Sequence, residues 1–301
     1  MLVSGALSLT PSVAGGGWYG GRGVWGGGYS VTTTIDYVTI STPANAIDFG
    51  DLTQGRRNIV ACSDGTKGVF GGGYVSSNLN TIDYITIGTL GNAIDFGDLT
   101  VSRRGASACS DGTSGVFGGG NDSGGIVNTI DYITISTPGN AVDFGDLTSV
   151  RGFGGACSNG TTGVFGGGYS GGYVNTIDYI TIATTGNALD FGDLTVMRDN
   201  TSSCSSTTRG VFGGGYNGAV VNTMDYVTIS TTGNAIDFGD LSQSRQALAA
   251  CSDNTKGVFG GGNTGSNVNT IDYITIATTA NAIDFGDLTV SRQRLASASG
   301  D

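Results

Sequence analysis

Aspartate is the residue type through which this chain could do most chemistry, and it recurs at fixed positions. All 24 acidic residues are aspartates, and three positions in each of six units account for 18 of them. One position precedes a tyrosine, at Asp36, Asp83, Asp131, Asp178, Asp225 and Asp272; the other two belong to Asp-Phe-Gly-Asp segments such as Asp48 to Asp51. Five residues after each segment's last aspartate stands an arginine, at Arg56, Arg103, Arg151, Arg198, Arg245 and Arg292. Because buried charges need partners, this regularity predicts Asp–Arg pairs within or between units, with other carboxylates capping turns.

Two other uses of these carboxylates are open. Calcium binds oxygen ligands, but the chain has neither an Asp-x-Asp-x-Asp run nor any glutamate, so we expect no metal or cofactor, with calcium as the alternative. Paired carboxylates could also cleave a glycan. Six near-identical pairs do not indicate one specialised site, and the absence of histidine excludes Ser-His-Asp and Cys-His catalysis. The sequence therefore predicts a protein that is not an enzyme, with glycan cleavage as a distant alternative.

The five cysteines occupy one repeat position, at Cys62, Cys109, Cys157, Cys204 and Cys251. Equivalent positions on neighbouring units should lie farther apart than the roughly 4.4–6.8 Å between Cα atoms that a disulfide requires. We expect reduced thiols that behave as small buried apolar groups.

The elements that position these residues form an array. The phrase Gly-Val-(Phe/Trp)-Gly-Gly-Gly begins at residues 23, 68, 115, 163, 210 and 257. The starts are 45 to 48 residues apart. A repeat of this length, built from short β-type segments with glycine between them, is typical of a propeller. Abundant Thr, Ile, Val, Tyr and Phe predict an all-β chain. In the unit that begins at Ala106, four strands are expected, at 106–110, 115–120, 129–135 and 141–147.

The two ends of the chain predict how the ring closes. The array opens on a second-strand phrase at Gly23, whereas residues 295–301 match the first-strand pattern and then stop. The C-terminal strand should therefore complete the first blade and leave no open edge; residues 12–17 are the alternative for this place. We expect a six-bladed propeller over residues 23–301. Residues 1–22, with Trp18 and Tyr19, would form an N-terminal tail that either anchors the disc or packs on its edge.

The unit resembles the kelch repeat. Each has a small-residue strand, a strand ending in a glycine pair such as Gly118-Gly119, a tyrosine-bearing strand such as that of Tyr132, and a strand with an aromatic residue, here Phe144, followed by arginine. The resemblance covers residues 23–301 and implies a six-bladed kelch-like β-propeller with four antiparallel strands per blade. It implies little about function, because the same fold carries many activities.

Variation among the units is confined to two sets of segments. Loops between second and third strands and links between blades differ freely, and because strands alternate in direction, both sets should emerge on one face. We call this surface the loop face. Either it is an adaptable recognition surface or its loops have drifted without constraint. The candidate ligand-binding residues on it are Tyr74, Asn121, Asp122, Phe153, Tyr169, Tyr173, Asp199, Tyr216, Asn217 and Asn263.

The amino-acid sequence of the repeats, with segments such as Asn-Thr-Ile-Asp-Tyr-Ile-Thr-Ile, resembles that of repeat proteins of bacteriophage virions, particularly of phages that infect marine cyanobacteria. This resemblance implies a virion structural or adhesion protein, of tail-fibre or capsid-decoration type, whose partners are a host surface glycan or protein and other virion proteins. A homo-oligomer is also open, and a cellular or secreted lectin-like propeller is the alternative.

The net charge of −11 argues against binding nucleic acid or an anionic membrane. The mildly apolar segment at residues 1–9 lacks the basic start and the length of a signal peptide or membrane span. We expect a soluble protein without either element.

Overall fold

The computed structural model describes residues 19–300, which form six sheets of four antiparallel strands arranged as a six-bladed β-propeller. Neighbouring blades contact one another through their first strands around a central axis. The fourth strand of every blade lies at the outer edge. Within residues 19–300, no helix has the length and apolar character needed to cross a membrane.

The strands are numbered in chain order. Blade 1 contains β1 (Arg22–Gly26), β2 (Thr34–Thr39), β3 (Ile47–Asp51) and the C-terminal β24 (Ala296–Gly300). Blades 2 and 3 contain β4 (Val60–Ser63), β5 (Lys67–Gly71), β6 (Thr81–Thr86), β7 (Ile94–Asp98), β8 (Ser107–Ser110), β9 (Ser114–Asn121), β10 (Ile126–Thr134) and β11 (Val142–Asp146). Blades 4 and 5 contain β12 (Gly155–Ser158), β13 (Thr162–Tyr169), β14 (Tyr173–Thr181), β15 (Leu189–Asp193), β16 (Ser202–Ser205), β17 (Arg209–Tyr216), β18 (Val220–Thr228) and β19 (Ile236–Asp240). Blade 6 contains β20 (Ala249–Ser252), β21 (Lys256–Gly260), β22 (Thr270–Thr275) and β23 (Ile283–Asp287).

The first glycine of each triple makes room for the neighbouring blade. A Cβ atom placed on Gly118 of β9 would lie 2.8 Å from Cε1 of Phe165, which is buried on β13 of the next blade. The second and third glycines, Gly119 and Gly120, have φ angles of 67° and 114°, which lie in the region that favours glycine. The triple glycine therefore makes room for a phenylalanine of the next blade and supplies two positive φ angles.

Closure by the C-terminal strand is confirmed. β24 pairs with β1 over five residues, from Arg22 opposite Gly300 to Gly26 opposite Ala296. Trp25 replaces the phenylalanine of the other blades at this seam, and its Nε1 donates a hydrogen bond to the carbonyl oxygen of Ala249 in blade 6 at 3.2 Å. The alternative closing segment, residues 12–17, and most of the predicted tail lie outside the described residues.

The cysteines confirm the prediction of free, buried thiols. Each faces the second strand of a neighbouring blade; a Cβ atom on Gly163, for example, would lie 2.7 Å from Sγ of Cys109. Burial raises the pKa of all five thiols, that of Cys157 to about 12. Since the thiolate is the reactive form, these cysteines should be inert in the folded state.

We therefore expect Ellman's reagent at pH 8 to label none of Cys62, Cys109, Cys157, Cys204 and Cys251 in the native protein and all five after denaturation in urea. Thermal unfolding should be the same under oxidising and reducing conditions. Rapid labelling of the native protein, or a melting temperature that depends on reductant, would contradict this interpretation.

Candidate functional site

The repeated aspartate and arginine of each unit form an ion pair between blades. Arg56, in the link after blade 1, lies 2.8 Å from Oδ2 of Asp83 on β6 of blade 2, and both side chains are completely buried. Thr53 donates its hydroxyl to Oδ1 of the same carboxylate at 2.6 Å, and Arg56 also donates to the carbonyl oxygen of Phe70. We call this arrangement the interblade clasp. It recurs as Arg103–Asp131, Arg151–Asp178, Arg198–Asp225, Arg245–Asp272 and Arg292–Asp36.

The clasps confirm the Asp–Arg pairs that the sequence predicts and show that these pairs join neighbouring blades. Burial lowers the pKa of the Arg56 guanidinium, and the charge of Asp83 opposes this shift. The sixth clasp joins blade 6 to blade 1, so the ion pairs encircle the disc. These six carboxylates therefore have a structural role and are not accessible to a substrate.

The two aspartates of each Asp-Phe-Gly-Asp segment lie on the outer strand. Asp48 and Asp51 are exposed; Asp51 accepts a hydrogen bond from Thr33, and its backbone N–H donates to Asn92 of the next blade. Within the described residues, no three side chains of the His, Cys, Asp or Glu type come together as ligands for a metal ion.

A ring of backbone hydrogen bonds surrounds the axis on the loop face. In each link, the N–H of one residue donates to the carbonyl oxygen of its equivalent in the preceding link, with N···O distances of 2.6–2.9 Å. All six residues have φ between 50° and 63°. This ring, which we call the collar, consists of Asn58, Gly105, Phe153, Asn200, Ala247 and Arg294.

The collar opens into the central channel. The cavity at this mouth has a volume of about 120 Å³ and is lined by the collar and the first strands. At the opposite mouth, Tyr19 donates its hydroxyl to the carbonyl oxygen of Ser158, and serine side chains such as Ser110 and Ser205 bond to backbone carbonyls of adjacent blades. Among the described residues, the collar side chains, which differ from unit to unit, lie at the loop-face end of the channel.

The two variable sets meet on the loop face, as the sequence predicts. In five of the six links, the residue after the clasp arginine pairs through its backbone with the residue after the triple glycine of the next blade. The bridges are Arg57–Tyr74, Arg104–Asn121, Gly152–Tyr169, Asp199–Tyr216 and Gln246–Asn263. Tyr74, Asn121, Tyr169, Tyr216 and Asn263 thus form a regular outer circle, while Phe153 belongs to the collar inside it.

Three of the predicted tyrosines form one cluster. The ring centroid of Tyr173 lies 6.0 Å from that of Tyr169 and 5.6 Å from that of Tyr216, both with edge-to-face geometry. Asp199 lies beside Tyr216 and is buried, and its Oδ1 has no hydrogen-bond partner among residues 19–300. Burial raises the pKa of the Asp199 carboxyl. These side chains give blades 4 and 5 an aromatic and acidic sector.

Other predicted residues stabilise their own loops. Oδ1 of Asp122 accepts hydrogen bonds from the backbone N–H groups of Gly124 and Gly125. Oδ1 of Asn263 accepts one from Gly265, and Asn217 accepts a longer one, of 3.4 Å, from Ala219. Their side-chain oxygens serve as turn caps.

Sequence reasoning identified Tyr74 but missed the other residues of a second sector of the loop face, at blades 1 and 2. Here Arg294, Tyr29, Arg57, Tyr74 and Arg104 alternate, with each guanidinium carbon 4.7–5.8 Å from the centroid of an adjacent ring. The signal was present as arginine doublets, Arg56-Arg57 and Arg103-Arg104, in which the second arginine replaces the Gly, Asp or Gln of other units. We call these five residues the arginine–tyrosine ladder.

Neither protein-family models nor curated proteins gave a match to this chain.

Proposed function

We propose that this chain is a non-enzymatic recognition module, a kelch-like propeller that presents its loop face to a glycan or a protein on a host surface. The supporting observation is that tyrosines from adjacent blades form a cluster outside the collar, on the face where the units differ. Partly exposed tyrosines combine apolar area with a hydroxyl group and lose little conformational entropy on binding, which suits recognition.

The fate of the repeated carboxylates also favours binding over catalysis. One aspartate of each unit is completely buried in an interblade clasp, and the other two lie on the outer strands, away from the channel mouth. A glycan-cleaving enzyme needs a pair of carboxylates on either side of the scissile bond. Asp199 is one carboxyl group beside the tyrosine cluster and does not supply such a pair alone.

We propose that the module belongs to a virion, as a tail fibre or capsid decoration, because the amino-acid sequence of its repeats resembles that of virion repeat proteins. In this setting, host binding and attachment to the virion would use different surfaces of the disc. The loop face would bind the host, while attachment to other virion proteins would use surfaces away from it.

We expect a glycan array, screened with and without calcium, to show saturable binding by the purified protein. Replacing Tyr169, Tyr173 and Tyr216 together with alanine should weaken binding about tenfold or more, because exposed aromatic anchors dominate such interfaces. Thr185→Ala, an exposed change in the turn between the third and fourth strands of blade 4, is the control and should bind as the wild type does.

Equal binding by the triple variant and the wild type would remove the tyrosine cluster from the proposal. Electron microscopy of the same sample provides the second arm. Ordered assemblies without glycan binding would assign a structural role in place of recognition.

A further inference from the structure

Three arginines on the loop face carry positive charge without an ion pair among residues 19–300, in a protein whose net charge is −11. Among residues 19–300, the ion pairs with N···O distances within 4.0 Å are the six interblade clasps. Arg57, Arg104 and Arg294 therefore have no carboxylate at that distance. Burial lowers the pKa of Arg294, the charges of Arg57 and Arg104 lower it further, and Tyr29 and Asp199 oppose the shift. Mutual repulsion of this kind is relieved when an anion binds.

The ladder arginines also retain hydrogen-bond donors. Nε of Arg57 is buried without a partner among the described residues. The one side-chain acceptor found for the ladder is Oδ1 of Asn78, 3.4 Å from Nη1 of Arg104. A guanidinium stacked over a tyrosine ring keeps its N–H groups in its own plane, where they point away from the ring centre and can bind an oxyanion in a bidentate manner.

The opposite face provides an internal comparison. Arg22, Lys67, Arg209 and Lys256 also stack on tyrosines, at 4.5–5.4 Å from the ring centroid. Each of them donates to a backbone carbonyl of a neighbouring blade at 2.6–2.9 Å. Those cations join blades together, whereas the ladder arginines leave their donors for a ligand.

We propose that the arginine–tyrosine ladder is a subsite for a carboxylate or sulfate group on a short acidic saccharide, an inference that rests on the proposed recognition function. The anionic group lies on Arg57, Arg104 and Arg294, and the tyrosine cluster across the channel mouth receives the sugar. The exposed aspartates of the outer strands and the net charge of −11 repel a long polyanion. A ligand with few negative charges is therefore favoured over nucleic acid.

The test uses a panel of matched oligosaccharides, in which uronate, sulfated and sialylated sugars are each measured beside their neutral parents by calorimetry. We expect the charged member of at least one pair to bind about tenfold or more tightly than its parent, as for hydrogen bonds to charged groups. Arg57→Gln and Arg104→Gln should remove this preference and its weakening by salt. Arg209→Gln, which changes a tyrosine-stacked arginine on the opposite face, should keep both.

The outcomes separate this inference from the proposed function. Binding of neutral parents as tightly as their charged partners, unchanged by Arg57→Gln, would overturn the anionic subsite and leave glycan recognition intact. Absence of binding to every sugar would overturn both. Tighter binding of an acidic peptide such as hexaglutamate, lost in Arg57→Gln, would overturn the saccharide and assign the ladder to a protein partner. Melting temperatures of the variants establish that each is folded.

Discussion

Deletion of residues 295–301 is expected to abolish cooperative unfolding of the propeller. The deletion removes the buried Leu295 and all of β24, with its buried Ala296 and Ala298, and leaves the inner edge of β1, which carries Trp25, unpaired. Because blade 1 then contacts its neighbours through three strands, the loss should amount to a large part of the ~5–15 kcal/mol that stabilises a typical domain. Thermal denaturation followed by circular dichroism and by tryptophan emission measures the effect.

Two controls sharpen this deletion experiment. Ser297→Ala changes a partly exposed side chain that lines the channel, and it should melt within a degree or two of the wild type, as ordinary surface changes do. A synthetic peptide of residues 295–300 should restore cooperative melting when added to the truncated protein. A truncated protein that already melts like the wild type would show that β24 is dispensable for the ring.

Asp83→Asn is expected to destabilise the protein by about 3–5 kcal/mol, because it leaves the Arg56 guanidinium buried without a counter-charge. Arg56 and Asp83 are both inaccessible to solvent and lie 2.8 Å apart. The double variant Arg56→Met, Asp83→Asn removes the stranded charge while the amide oxygen still accepts from Thr53. It should therefore be more stable than Asp83→Asn alone.

Urea denaturation gives the free energies of unfolding for this comparison. Asp95→Asn is the matched control, since Asp95 lies opposite Asp83 on β7 but is exposed; its effect should remain within about 0.5 kcal/mol. If Asp83→Asn were as mild as Asp95→Asn, the clasp would not stabilise the junction between blades.

Most of the fold follows from periodic residues whose environment is the same in every blade. Expected strands at 106–110 and 141–147 lie within one or two residues of β8 (Ser107–Ser110) and β11 (Val142–Asp146). The third strand begins three residues earlier than expected, at Ile126, because Asn121 and Ile126 pair across the loop and lengthen the hairpin. Strand extension of this kind depends on the loop residues, which differ among units and carry no periodic signal.

The candidate site was less predictable, because it depends on which blades become neighbours at the seam. Alternation of strand direction was enough to place Tyr169, Tyr173 and Tyr216 on one face. The arginine–tyrosine ladder joins Arg294, near the C-terminus, to Tyr29, near the N-terminus. Closure of the ring brings these two residues together. The spacing of residues within a single repeat gives no information about this contact.

The collar has a consequence for how such a protein can change. Its six hydrogen bonds use main-chain atoms alone, and its left-handed backbone already accommodates Asn, Gly, Phe, Ala and Arg at equivalent positions. Exchange of one whole unit for another would therefore replace one side chain at the channel mouth and one loop beside it. The backbone hydrogen bonds of the collar would stay intact. The side chains of the loop face can therefore change one blade at a time without loss of the collar's hydrogen bonds.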